Sequence, residues 1–182
     1  LGSTSKDTSF FGESGSIKDV TNTGKGAVIS RPNFAKKKSK ISLKGLVVSG
    51  CVKDVESSLP EVLGKLPSFK PENFLKGAKS AFQMILSASA KGDQAELENL
   101  IDKRYRERFG AMSEAYGEIA DKADFAAHIS EMYLFGNNVF VKVLFAGKNI
   151  TNKVKDLKEE WTFAKNALVA GPEWHLTNID KA

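Results

Sequence analysis

Only two histidines, His128 and His175, occur in the 182 residues. Around His128 stand Asp124, Glu131 and Tyr133, a set whose types could serve as base, acid and positioner in a proton transfer. The set lacks the second histidine or cysteine that most zinc sites use. Cys51 is the only cysteine, so neither an internal disulfide nor a cysteine-based metal site can form. The favoured reading of His128 is a surface imidazole beside an ordinary tyrosine. Glu159-Glu160, next to Lys155 and Lys158, reads as a charged, solvated strand face rather than a pair of working carboxylates. Gly24-Lys25-Gly26 lacks the Walker spacing and the following helix of a phosphate loop. Asn149-Ile150-Thr151 has the form of a sequon but reads as a turn. No catalytic residue, metal ligand or cofactor is expected.

Charge is the stronger chemical signal. Lys36, Lys37, Lys38, Lys40 and Lys44 lie within nine positions, with Lys25 and Arg31 upstream. No acidic residue occurs between Asp19 and Asp54. Residues 1–70 carry a net +6 and residues 71–182 a net −1. Near an anionic leaflet each such charge contributes about 1 kcal/mol at favourable distance, screened over roughly one Debye length. Phe34, Leu43, Leu46 and Val47 could insert shallowly beside them. Arg31, Lys36, Lys37, Lys38, Lys40 and Lys44 are therefore the candidate anionic-lipid contacts. A solvated linker and a ribosome or RNA tether are the other readings of the same lysines. Aromatic residues for base stacking are nearly absent among them, which weakens the last, and no DNA partner is expected.

The elements that would carry these residues follow from spacing. Over residues 1–40 the apolar positions recur at neither helical nor strand intervals, and Gly, Ser, Thr, Asn and Lys dominate, which predicts a mostly disordered arm. Val52, Val55, Leu59 and Leu63 predict a short helix near 51–65, with Pro60 kinking it or fixing its start. From Pro71, the residues Phe74, Ala78, Ala81, Phe82, Ile85 and Leu86 trace one buried helical face. Gly92-Asp93 ends that helix and caps the next, which contains Leu97, Leu100 and Ile101. Tyr105, Phe109, Met112, Tyr116 and Ile119 extend a helical stripe to about Ala120. The period then changes to two. Strands are expected around Ile129–Tyr133, Val139–Phe145, Leu157–Phe163 and Trp174–Asn178, with turns at Gly136-Asn137-Asn138, Gly147-Lys148-Asn149 and Gly171-Pro172. Helices followed by a run of antiparallel strands predict an α+β fold in which the helices pack on a curled sheet of about four strands. The organisation read from the chain is an arm over 1–50, a short lead-in helix over 51–68 and a domain over 69–182.

The run FKPENFLKGAKSAFQMILSASAKGDQAELENLIDKRYRERF, from Phe69 to Phe109, resembles the start of the C-terminal domain of the mitochondrial import-motor tether family, the forty-four-kilodalton subunit of the inner-membrane presequence translocase. The ending EEWTFAKNALVAGPEWHLTNID resembles that family's last two strands, with Trp161, Phe163, Trp174 and Leu176 in place. The resemblance covers about residues 60–181 and extends to bacterial relatives and to proteins that tether mitochondrial ribosomes. It implies a cone-shaped fold similar to nuclear transport factor two, a hydrophobic pocket, association with anionic lipid and no enzymatic activity. The loop between the second and third strands is shorter here than in many members. Residues 1–50 resemble nothing in the family, so chaperone binding does not carry over.

Phe82, Phe109, Phe145, Trp161, Phe163 and Trp174 would line such a pocket if it opens between sheet and helices, although rings of this kind are more often core. The expectation is a non-enzymatic, membrane-peripheral adaptor of a protein translocation or membrane-protein assembly system, with an integral membrane or translocation-machinery partner. A carrier or small enzyme using the pocket is the alternative from another class, and inward positions that are mostly Val, Phe, Leu and Trp count against it. The cytoplasmic face of a bacterial inner membrane is favoured over the mitochondrial matrix. No stretch reaches the roughly 18–20 apolar residues of a membrane span. The opening Leu1, with no apolar signal segment behind it, suggests a processed or truncated chain whose anchor would lie upstream.

Overall fold

Four helices bury one face each in the computed structural model, which describes residues 41–182. The first, α1 (Val52–Lys65), follows a 3₁₀ turn at Ser49–Cys51 and buries Val55, Leu59 and Val62. Pro60 lies inside it on the exposed side, where its missing N–H deprives one carbonyl of a helical partner without burying the loss. α2 (Pro71–Lys91) has Pro71 in its first turn and buries the Phe74, Ala78, Ala81, Phe82, Ile85 and Leu86 stripe expected from its spacing. Gly92, at φ 70°, closes α2, and the N–H groups of Gly92 and Asp93 turn back to the carbonyls of Ser89 and Ala88. Asp93 then caps α3 (Gln94–Leu100) by accepting the Glu96 N–H at 3.1 Å.

α4 (Arg106–Ser113) is shorter than the stripe to Ala120 suggested. The N–H groups of Ala115 and Tyr116 bond three residues back, to Met112 and Ser113, which tightens the end of the helix. Tyr116 is thereby turned into the core, and Gly117, at φ 70°, redirects the chain so that Ile119 bridges Thr151. Helical periodicity alone could not show this, because Tyr116 is buried, and Ile119 half-buried, by partners beyond residue 150.

The second half is a meander in the order β1 (Asp124–Phe135), β2 (Asn138–Lys148), β3 (Asp156–Asn166) and β4 (His175–Lys181), every pair antiparallel. Irregularities between Ile129 and Glu131 and between Thr162 and Phe163 add bend and twist, which curls the sheet. Its inner face carries Val139, Val141, Val143 and Phe145, all with 0% exposure. α2 lies across that face. Phe82 sits 4.3 Å from Phe145 and 4.8 Å from Trp161 between ring centres, and Phe74 sits 4.7 Å from Trp174. The α+β architecture is the one the change of period predicts.

Both sheet edges are covered by segments from earlier in the chain. Val47 bridges Ile129 in parallel, with Val48 N–H bonded to the Ile129 carbonyl at 2.9 Å and Ile129 N–H to the Leu46 carbonyl at 2.8 Å. At the other edge Ile101 bridges Leu176, and Asp102 N–H reaches the Leu176 carbonyl at 2.8 Å. Such cover interrupts each open ladder at one position and shortens the run of free backbone groups that could recruit another strand. It also corrects the boundaries at 50 and 69. Leu43 and Val47 are 5% and 7% exposed, so the packed unit reaches back to Leu43 and α1 is part of it. The apolar run at 43–48 is too short to show a period, and what buries it is the edge of β1.

Candidate functional site

The six rings offered as pocket walls fill the space between α2 and the sheet instead of surrounding an opening. Phe82, Phe109, Phe145, Trp161, Phe163 and Trp174 are between 0% and 3% exposed. Phe145 meets Trp161 edge-on at 5.5 Å, Trp161 lies 6.5 Å from Phe163, and Phe109 stacks on Tyr116 at 6.3 Å. Their surfaces are spent on one another. Surface clefts among the described residues, one beside Met84 and Ile119, one beside Tyr116 and Leu157 and one beside Val47 and Val52, have none of the six rings on their walls.

The bulge between Ile129 and Glu131 puts the acid–base set around His128 on one face of β1, but that is the outer, partly solvated face of the sheet and not the inner one. Asp124, His128, Glu131 and Tyr133 are strung along β1, opposite Lys148, Leu144, Lys142 and Phe140. Glu131 pairs with Lys142 at 3.5 Å, and Tyr133 stacks on Phe140 at 4.9 Å. Among the described residues no group of three or more His, Cys, Asp or Glu could hold a metal ion. Asn149-Ile150-Thr151 is a turn as expected, with Asn149 at φ 52° and the Thr151 hydroxyl accepting the N–H groups of Lys153 and Val154.

Glu159 requires a correction. It is 6% exposed, and its Oε1 accepts both the Tyr116 hydroxyl at 2.9 Å and the Trp161 Nε1–H at 3.0 Å. Alternation shows why: Leu157, Glu159, Trp161 and Phe163 share one parity, so a residue between inward neighbours on this strand also points inward. Burial, and then the Glu159 carboxylate, hold the Tyr116 phenol far above the ordinary tyrosine range, so it stays a donor. Glu160, on the opposite parity, is the partly solvated member of the pair. Glu159 and Tyr116 border a cleft of about 380 Å³ with Met112, Leu157, Lys158 and Lys181.

His175 lies beside Asp102, where β4 meets the chain following α3. Burial lowers its pKa below the ordinary 6.5, and the carboxylates of Asp102 and Glu173 only partly offset that. Between the lowered value and 6.5 the unfolded chain binds more protons than the folded one, so stability falls as pH falls through that window. Thermal melts between pH 7 and pH 5 are expected to show this decline, and His175→Gln to flatten it. An unchanged profile in the variant would remove His175 as its source.

Of the candidate lipid contacts, Arg31, Lys36, Lys37, Lys38 and Lys40 lie outside the described residues. Lys44 is exposed in the turn at 44–46, beside a hollow lined by Ile41, Val47, Val52 and Glu56. Spacing does not mark the three exposed apolar residues at the opposite end of α1. Phe135 ends β1 at 75% exposure, while Leu168 and Val169 in the loop from β3 to β4 stand at 76% and 59%. The Ala167 N–H donates to the Asn137 carbonyl at 2.8 Å, which holds the two hairpin tips side by side. Lys65 Nζ donates to Asn137 Oδ1 at 3.1 Å, and Lys165 Nζ to the Val169 carbonyl at 3.1 Å. No helix among the described residues is long and apolar enough to cross a membrane.

A family model described as the Tim44-like domain matches residues 55–128, from α1 into β1. An uncharacterized protein of Rickettsia prowazekii (strain Madrid E) is 42% identical over 187 residues, an alignment that takes in 100% of this chain and 88% of that protein.

Proposed function

The chain belongs to the Tim44-like domain family, and from that premise we propose that it is a non-enzymatic, membrane-peripheral adaptor of a protein translocation or membrane-protein assembly system. The family carries a translocase-associated, membrane-associated role. The finer reading is that the chain adheres to anionic phospholipid on the cytoplasmic face of a bacterial inner membrane and presents its α+β unit to an integral membrane or translocation-machinery partner.

One observation carries the lipid part. The chain is free of acidic residues from Val20 to Lys53, and five lysines fall within nine positions, four of them ahead of Leu43, where the packed unit begins, and Lys44 just inside it. At about 1 kcal/mol per lysine, five such charges raise partitioning onto an anionic leaflet by on the order of 10³-fold. Filled core space, and the placement of the acid–base residues of β1 on the solvated outer face of the sheet, support the non-enzymatic reading.

Liposome flotation tests it. The full chain is expected to float with phosphatidylglycerol vesicles and not with neutral ones, and to be released as salt rises towards 1 M, where the Debye length falls to about 3 Å. Removing residues 1–40, not 1–50, is the appropriate truncation, because Leu43 and Val47 are core. Flotation that ignores the truncation would move the lipid contact off the arm. Salt-sensitive retention on RNA without any flotation would favour the ribosome tether.

A further inference from the structure

We propose that the paired hairpin tips form a second lipid contact, with Phe135, Leu168 and Val169 entering the interfacial layer of an anionic membrane. This inference rests on the adhesion reading above and adds to it a defined, non-electrostatic site. Phe135, Leu168 and Val169 are at least 59% exposed, whereas the other large apolar residues of the described chain are at most 37% exposed. Singly exposed apolar residues need no explanation, but three at one end of a sheet do.

Their support is stiff. Asn138 pairs with Asn166 at the base of the two tips, the Ala167 N–H to Asn137 carbonyl bond ties the loops, and Leu168 N–H is fixed to Asn166 Oδ1 at 2.9 Å. The apolar groups therefore stand at the ends of anchored turns, and little ordering is required when they are covered. A protein partner would need a complementary hollow for these projections. A fluid interface adapts to them, with the rings and branched chains among the upper acyl segments and the neighbouring cations at the phosphates.

Cations stand at the tips. Lys65 and Lys165 are both hydrogen-bonded to the tip loops, with Glu173 the carboxylate facing Lys165, so two cations stand against one carboxylate among these three. The arm supplies attraction that salt screens, and the tips supply apolar contact that it does not.

The test uses the full chain in a Cys51→Ser background with Leu168→Cys carrying the environment-sensitive dye NBD. On phosphatidylglycerol vesicles the dye is expected to shift to the blue and to be quenched by nitroxide lipid. Phe135→Ser with Val169→Ser should weaken vesicle binding at least tenfold, with far-UV circular dichroism unchanged. Arm variants separate the two readings. If neutralising Lys36, Lys37, Lys38 and Lys40 to Gln abolishes flotation while the dye never responds on the unaltered chain, the adhesion reading stands and the tip site is overturned. If those variants still float and the dye still shifts, the tips act and the arm reading fails. Absence of flotation under all conditions overturns both. A blue shift that grows with protein concentration without vesicles would assign the tips to contact between copies and overturn the lipid site.

Discussion

Replacing Phe82 with Ala is expected to lower the unfolding free energy by about 3–5 kcal/mol, the range for removing a buried aromatic ring. Phe82 is 0% exposed and touches three further rings, with Phe125 and Trp161 each 4.8 Å away and Phe145 4.3 Å away. It is the point at which α2 and the inner faces of β1, β2 and β3 meet. Small domains hold only about 5–15 kcal/mol in total, so the variant should fall close to its unfolding midpoint in mild urea. Phe82→Leu, which keeps more of the volume, is expected to lose much less. Urea melts of the two variants decide between a filled core and an open pocket. A loss below about 1 kcal/mol for Phe82→Ala would mean that the ring already borders free space, and would revive the carrier reading.

The second large effect lies at Glu159. Glu159→Ala leaves the Tyr116 hydroxyl and the Trp161 Nε1–H without their acceptor, and each orphaned buried donor costs about 1–3 kcal/mol. Glu159→Gln keeps an oxygen at the same place and removes a charge that is costly to bury, so its loss should be much smaller. Tyr116→Phe should cost about 1 kcal/mol by itself and couple to Glu159→Ala in a double-mutant cycle, because both report on one bond. Lys158→Ala is the control on the neighbouring exposed position. If Glu159→Ala proves as mild as Lys158→Ala, the carboxylate is solvated after all.

What could be read directly from the residues was whatever depended on near neighbours. The α2 stripe, the Gly92-Asp93 break and the Val139–Phe145 alternation each rest on contacts or dihedrals that a short window determines. Misreadings arose where a partner far along the chain decided the outcome. Tyr116 looked helical because it sits four residues beyond Met112, yet it bonds a residue of β3. Leu43 and Val47 looked like arm because the edge that buries them lies some 80 residues later, at Ile129. At Glu159 charge is a poor guide to burial and parity with Leu157 and Trp161 the better one. Of the two proposed lipid contacts, spacing marks the lysines, since charge density needs no fold. It could not mark Phe135, Leu168 and Val169, because only the register of β2 with β3 brings their two loops together.

The covered edges also bear on the order in which the molecule can be completed during synthesis. α2 emerges from the ribosome well before the strands that will receive it, with about 100 residues between Phe82 and the end of β4. At bacterial-to-eukaryotic elongation rates of about 5–20 residues per second, that separation is roughly 5–20 s. During it Phe74, Phe82, Ile85 and Leu86 form an amphipathic helix with no sheet to cover it. Ile101 must wait for Leu176, made 75 residues later, so the helical half cannot be sealed one piece at a time. The nascent chain thus passes through a seconds-long interval in which a chaperone or a nearby bilayer competes with its own C-terminal strands for the same apolar face.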